Sequence, residues 1–327
     1  MFVTKSDVSS VRRVPTSNVY RTLTYHSGNF AELVSVAASG QRRPGKARYQ
    51  TAMSLRSSQR RQPSRTVIRP AEPDPAGPVR RAGTITPPSR GLSRSIRLFR
   101  LFLREQTEPA AFYAGLAEDA ADQLARHTEL AGQVVVDVGG GAGHFTEAFR
   151  RRGANCYLFE PDPGEMLLDD GVAPPGAVLA DGYWLPVADG GADICFSSNV
   201  LEHVADPQGL IEELIRATKP GGLVYLSFTN WYSPWGGHEM SPWHLLGVGF
   251  AARRYARRHG HPPKHSVGDN LYRVHIGPVL RLMRSRPEVE ILDAMPRYYP
   301  RWCRFVLRIP VVRELVTWNL LLIVRRK

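Results

Sequence analysis

Between Val134 and Phe145 the chain reads VVVDVGGGAGHF, an apolar run that ends in an acidic residue and a glycine-rich turn. Few architectures accommodate that combination. Consecutive valines without polar alternation suit a strand covered on both faces. Glycines directly after it permit a tight turn and let a ligand approach the backbone with no Cβ in the way. The same rhythm repeats downstream, with apolar strand candidates at Cys156–Phe159, Ala177–Leu179, Ile194–Ser197 and Leu223–Thr229. Between them lie a helix at Thr146–Arg152, a helical turn at Gly164–Leu168 and an amphipathic helix at Gln208–Thr218. Alternation of this kind implies βαβ crossovers. Two further strands, Val289–Met295 and Asn319–Val324, flank a helical insert. The expected fold is α/β: a doubly wound, mostly parallel seven-stranded sheet with helices on both faces.

A doubly wound, Rossmann-like sheet binds its ligand at the carboxyl ends of its strands, near the switch point in strand order. The first such end here carries Asp137, Gly139, Gly140, Gly141 and Gly143. Spacing tests the phosphate-binding alternatives. A dinucleotide GxGxxG counted from Gly139 needs a small residue where His144 stands, and counted from Gly140 it fails at Ala142. A P-loop needs Gly-Lys-Ser/Thr, and none follows. What remains, Asp-x-Gly-x-Gly-x-Gly, suits a ligand without a pyrophosphate. Glu160 closes the second strand, 19 residues after Gly141. A carboxylate there can accept both ribose hydroxyls, although an ordinary surface Glu also ends strands. Asp181, after the third strand, can reach an adenine amino group. Its competing role is to form a turn before Gly182.

The blocks VVVDVGGGAG, YLFEPD, ADGYWLPVADGGADICFSSNVLEHV and ATKPGGLVYLSF together resemble the class I S-adenosylmethionine-dependent methyltransferases, in particular the family often called methyltransferase type 11. The segment WYSPWGGHEM further resembles an actinobacterial group of methyltransferases with a WxxPxGGHEM-type motif. The resemblance implies S-adenosyl-L-methionine as cofactor. It implies that Gly139 and Gly141 face the methionine part and that Glu160 holds the ribose. Asp181 with Gly182 then flanks the adenine, and Ser198 or Asn199 lies under the sulfonium.

Methyl transfer is an in-line displacement that demands alignment and, for some acceptors, removal of one proton. His203 follows the fourth strand in a Leu-Glu-His segment that the resembled family carries whatever the substrate, so a positional role near the cofactor competes with a role as base. The span Trp231–His275 holds three of six tryptophans and six of ten histidines, and reads as a lid over the site. His238, Glu239 and His244 are its candidates for acceptor recognition or proton removal. The competing reading has the tryptophans merely stapling a long connection to the core. His259, His261 and His265 lie near Asp269, but HGHPPKH is loop-like and lacks a HExxH register, so no metal is expected. Arg253, Arg254, Arg257 and Arg258 suit a solvated helix face or an anionic group of the acceptor.

The formal net charge of +13 is concentrated at one end. Residues 1–95 hold 17 Lys/Arg against 4 Asp/Glu, and the rest of the chain balances 26 with 26. Residues 1–91 are read as a disordered basic segment, either a solvated tail, sequence upstream of the native start, or an arm for nucleic acid or anionic lipid. Residues 92–327 are read as the methyltransferase domain, with a cofactor-binding core at 131–229, a substrate lid at 230–287 and C-terminal strands with their insert at 288–327. The basic, apolar stretch SRSIRLFRLFLREQ is read as packing on its own domain, with peripheral membrane contact as the alternative. Three scattered cysteines and no signal segment or membrane span point to the cytoplasm.

The expected activity is therefore methyl transfer to a small-molecule acceptor, with lipids and glycans in scope because the lid and insert are aromatic and apolar. Two alternatives stand beside it. A nucleic-acid methyltransferase would use the basic arm, but Ser198-Asn199-Val200-Leu201 replaces the Asn/Asp-Pro-Pro-Tyr/Trp motif of base-amino methylases, and Cys195 lies within a strand. No specific nucleic acid is expected as a partner. A non-catalytic cofactor-binding protein is the other alternative. Nothing in the sequence sets the oligomeric state.

Overall fold

The computed structural model describes residues 91–104, 107–166 and 173–327. Of the disordered arm expected over residues 1–91, all but Gly91 lies outside the described residues, as does the end of the turn expected at Gly164–Leu168. Helices α1 (Leu92–Phe102) and α2 (Pro109–Leu124) precede β1 (Val134–Val138), α3 (His144–Arg151), β2 (Asn155–Glu160), α4 (Pro163–Met166) and β3 (Ala177–Leu179). There follow β4 (Ala192–Ser198), α5 (Pro207–Ala217) and β5 (Thr218–Thr229). A lid containing α6 (Val248–His259) leads to α7 (Ile276–Arg284), β6 (Val289–Pro296), α8 (Val312–Val316) and β7 (Asn319–Arg326).

The seven strands form one sheet in the order β3-β2-β1-β4-β5-β7-β6. All neighbours pair parallel except β7, which runs antiparallel to both β5 and β6. The strand order reverses between β1 and β4, so the ligand crevice opens at their carboxyl ends. The sheet is apolar on both faces, as consecutive valines and leucines require. Val136, Cys195, Val224 and Leu322 pack with Leu210 and Leu214 of α5 and Leu280 of α7. Val135, Ile194, Tyr225 and Leu321 pack with Leu116 of α2 and Phe149 of α3 on the other side.

Strand β5 starts five residues before the Leu223 expected from its apolar run. Thr218 already pairs with Ala192, and a register shift opposite Ala192 and Ile194 absorbs the extra chain. Gly221, at φ 80°, takes a left-handed bend that a side chain disfavours.

Helix α1 is fixed to the domain by a buried ion pair. Arg94 donates from Nε and Nη2 to the two carboxylate oxygens of Asp119 in α2, both at 2.6 Å, and from Nη2 to the Arg297 carbonyl oxygen at 2.9 Å. Leu98 is fully buried, and Phe102 packs edge-on against Phe112 and the lid residue Trp235. Leu92, Ile96, Phe99 and Leu103 stay exposed on the opposite face. Among the described residues no helix is long and apolar enough to cross a membrane.

Candidate active site

The glycines of the β1–α3 turn serve different physical ends. Gly139, at φ 71°, would place a Cβ 2.4 Å from Val200, and Gly140 would place one 2.5 Å from the Asp137 carboxylate. Both are packed tightly by the protein itself. Gly141, at φ 52°, would meet only the Glu165 carbonyl oxygen, at 3.7 Å. It is the open member of the run, where a ligand can lie on bare backbone. Gly143 caps α3 in a left-handed conformation.

Glu160, at the end of β2, turns its carboxylate toward this turn. It accepts from the Gly141 N–H and the Asp162 N–H, both at 3.1 Å. Burial pushes its carboxyl above the ordinary range, opposed by those two bonds. Asp181 is exposed and accepts from the Tyr183 N–H at 3.0 Å, so the turn-forming role is present in the fold. Gly182 faces Leu210 of α5, where a Cβ would lie 3.1 Å away. Ser198 lies under a cover of side chains, its hydroxyl bonded to Ser227 and Arg297. Asn199 has a left-handed backbone, φ 58°, and accepts from Asn319 Nδ2 at 2.8 Å.

Asp137 is fully buried beneath the turn. It accepts from the Thr146 hydroxyl at 2.7 Å through one oxygen, and its other oxygen, Oδ1, has no partner. Burial pushes its carboxyl up to about 7 against the opposing Thr146 bonds. With a raised pKa the folded protein retains a proton that the unfolded chain has released. Its contribution to stability is therefore greatest at low pH and is lost as pH rises from the ordinary carboxylate range through about 7. Asp137→Asn keeps an acceptor for Thr146 and removes the titration. The variant is expected to gain about 4 kcal/mol on wild type between about pH 4 and about pH 8. Urea unfolding at the two pH values measures this, and a pH-independent difference would rule it out.

Of the four side chains expected to serve catalysis, three gather in one place. His203 ends a turn of 3-10 helix (Leu201–His203) after β4, and His238 and Glu239 lie in another (His238–Met240) in the lid. The fold adds a residue from after α6, His265. The ring centroids are 4.8 Å apart for His203 and His238, 5.2 Å for His203 and His265, and 4.5 Å for His238 and His265. Glu239 holds His265 twice, accepting from its backbone N–H and its Nδ1, both at 2.7 Å. Burial raises the Glu239 carboxyl, but the two His265 bonds outweigh it and bring it down to about 2. Burial, with His203 and His265 nearby, pushes the His238 imidazole down to about 3. A base that weak accepts protons poorly near neutral pH.

His244 does not join them. Its Nε2 lies 3.0 Å from the Trp231 carbonyl oxygen and its Nδ1 3.5 Å from the Ser241 hydroxyl, so both nitrogens are engaged inside the lid. Trp231, Met240, Ala251 and Leu271 give the lid a small core of its own. Trp235 stacks edge-on with Trp318 at 4.4 Å, tying the lid to the start of β7. His259 and His261 pack around Tyr255 instead of meeting His265 in a shared cluster.

Two positions had no signal in the sequence. Arg297, completely buried after β6, donates from Nη1 to Ser198 at 2.8 Å and to Ser227 at 2.9 Å. Glu202, between Leu201 and His203, accepts from the Thr229 N–H at 3.0 Å, and its backbone oxygen accepts from Tyr272 at 2.7 Å. It thereby locks the β4 turn to β5 and to the far end of the lid. A charged residue ordinarily lies at the surface, so its type gives no hint of such burial until its neighbours in space are known.

Residues 136–226 match the model of a methyltransferase domain. An uncharacterized methyltransferase of Mycolicibacterium gilvum (strain PYR-GCK) is 47% identical over 246 residues, covering 72% of this chain and 94% of that protein. One from Mycolicibacterium paratuberculosis (strain ATCC BAA-968 / K-10) is 46% identical over 243 residues, with 72% and 94% covered. Among solved structures, an S-adenosylmethionine dependent methyltransferase from Mesorhizobium loti aligns with a TM-score of 0.43 and 19% identity, over 64% of this chain and 98% of that one.

Proposed function

Because the chain belongs to the methyltransferase family of these mycobacterial proteins, with S-adenosylmethionine as its methyl donor, we propose that it methylates an amphipathic small molecule, its apolar part held by the lid and the C-terminal insert. The observation that carries this reading is the set of large apolar side chains left exposed on both segments. Trp243, Leu245, Leu246 and Phe250 stand out from the lid, and Trp302, Phe305 and Ile309 from the insert. The two segments meet at the end of β5, where Asn230 donates to the Glu314 and Thr317 carbonyl oxygens. Exposed apolar side chains on the segments that follow β5 and β6 suit a hydrophobic substrate. The lid also carries charge, since Arg254 lies over the Trp243 ring at 4.2 Å with Arg253, Arg257 and Arg258 on the same helix. An anionic headgroup would be complementary to that face.

The residues present fit the methyl donor. The bare backbone at Gly141 suits the methionine part, and the carboxylate of Glu160 beside it suits the ribose hydroxyls. The orphaned Oδ1 of Asp137 beneath the turn is a further acceptor for a polar group of the donor or a water attached to it. Asp181 and Gly182 would flank the adenine, while Ser198 and Asn199 would lie beneath the sulfonium. When bound, the donor supplies a methyl carbon activated by positive sulfur. The chain's own part is to align the acceptor with it and exclude water.

Purified protein incubated with a cell extract and methyl-labelled S-adenosylmethionine tests the acceptor class. Label in the organic-extractable fraction is expected. Label confined to RNA or to protein would overturn the reading.

A further inference from the structure

We infer that His203, His238 and His265 form a binding site for one divalent transition-metal ion of the Zn2+ type, with Glu239 and the Asn270 carbonyl as its outer supports. The three side chains each offer a ring nitrogen, and these atoms lie within 4.8 Å of one another. Three features of the cluster point to a metal in particular.

The first is tautomer control. His203 Nδ1 lies 2.8 Å from the Asn270 carbonyl oxygen, which can only accept, so the hydrogen sits on Nδ1 and the Nε2 lone pair is free. His265 Nδ1 meets the Glu239 carboxylate at 2.7 Å, with the same consequence. A ligating imidazole almost always gives its other N–H to a carboxylate or a backbone carbonyl. Both kinds of support are present here.

The second is the remaining nitrogen. His238 Nε2 is buried and has no partner in the protein, which costs free energy unless something binds it. The backbone of His238 is held at φ 51°, a conformation costing a non-glycine residue about 1 kcal/mol. Strain of that kind collects where a side chain must be presented to a ligand.

The third is spacing. Imidazoles bound through Nε2 at about 2.0–2.1 Å to a tetrahedral ion have ring centroids about 5 Å apart. The observed separations are 4.8, 5.2 and 4.5 Å. Ligand atoms up to 4.8 Å apart close to coordination distance through side-chain rotations of about 1 Å. Three protein ligands leave the fourth position of a tetrahedral ion for water or an oxygen of the acceptor. That last assignment rests on the small-molecule reading above; the binding of the ion does not.

The test uses the full chain, stripped with a chelator and titrated with ZnCl2 by calorimetry, and with Co2+ by its visible absorption. One ion per chain and a tetrahedral Co2+ spectrum are expected. His203→Ala and His265→Ala should abolish both signals, and His259→Ala should leave them in place. Glu239→Gln, nearly isosteric, should weaken Zn2+ binding 10–100-fold. It decides the matter if the histidine variants fail to fold. No Zn2+ binding at micromolar concentration, or binding unaffected by Glu239→Gln and the two histidine variants, would overturn the inference. Zn2+ binding as expected, together with methyl transfer to an unexpected acceptor class, would instead count against the proposed substrate alone.

Discussion

Asp119→Ala is expected to destabilise the protein by about 3–5 kcal/mol, more than any other single change considered for the core. The substitution leaves the guanidinium of Arg94, itself only 3% exposed, facing two backbone carbonyl oxygens and no carboxylate. A buried charge stripped of its partner retains its full desolvation cost, whereas a pair removed together does not. The double variant Arg94→Leu/Asp119→Leu should therefore recover most of the loss. Urea unfolding of the two variants beside wild type measures both effects, and a single-variant loss below about 1 kcal/mol would mean the pair is solvated in solution. Because Arg94 lies on α1 and α1 carries Phe102 onto Trp235, loosening this contact should also raise protease sensitivity in the lid.

Glu160→Ala should weaken S-adenosylmethionine binding by roughly 100-fold or more, since two charge-assisted hydrogen bonds of about 1.5–3 kcal/mol each are at stake. The same carboxylate orients the Gly141 and Asp162 N–H groups, so its loss also relaxes the turn proposed to carry the donor. Calorimetry with S-adenosylhomocysteine separates this effect from turnover. Affinity within twofold of wild type would remove Glu160 from the site. The raised pKa of Glu160 gives the wild-type protein a matching pH dependence. Affinity should fall as pH drops through that value, because the protonated acid accepts hydrogen bonds poorly, and the variant should lack this dependence.

The strand, turn and helix proposed to hold the donor were legible because their determinants are local in sequence. A strand, its glycine turn and the next helix form one continuous stretch, and failure of the GxGxxG and P-loop registers narrows the ligand without any contact information. Glu160 is placed by strand length alone. The seven strands and their mostly parallel pairing likewise follow from apolar runs separated by helical segments. Asp181 shows where this stops. Its spacing suits either an adenine contact or a turn, and the structure shows the turn-forming bond from the Tyr183 N–H.

The sequence by itself determined the glycine turn that opens at Val134, the α/β sheet behind it and hence the class of donor. Each depends on residue types at short, fixed separations, which backbone geometry converts directly into structure. The tertiary structure decided how the lid and the C-terminal elements are arranged around the sheet. It inserted β7 antiparallel between β5 and β6, placed Arg297 beneath Ser198 and paired Arg94 with Asp119. It also brought His203, His238 and His265 together from three separate segments, passing over the closer trio of His259, His261 and His265. Local propensity carries no information about which distant side chains will share a cavity. That is settled by how the lid's small core and the Glu202 bonds fold the chain back over β4.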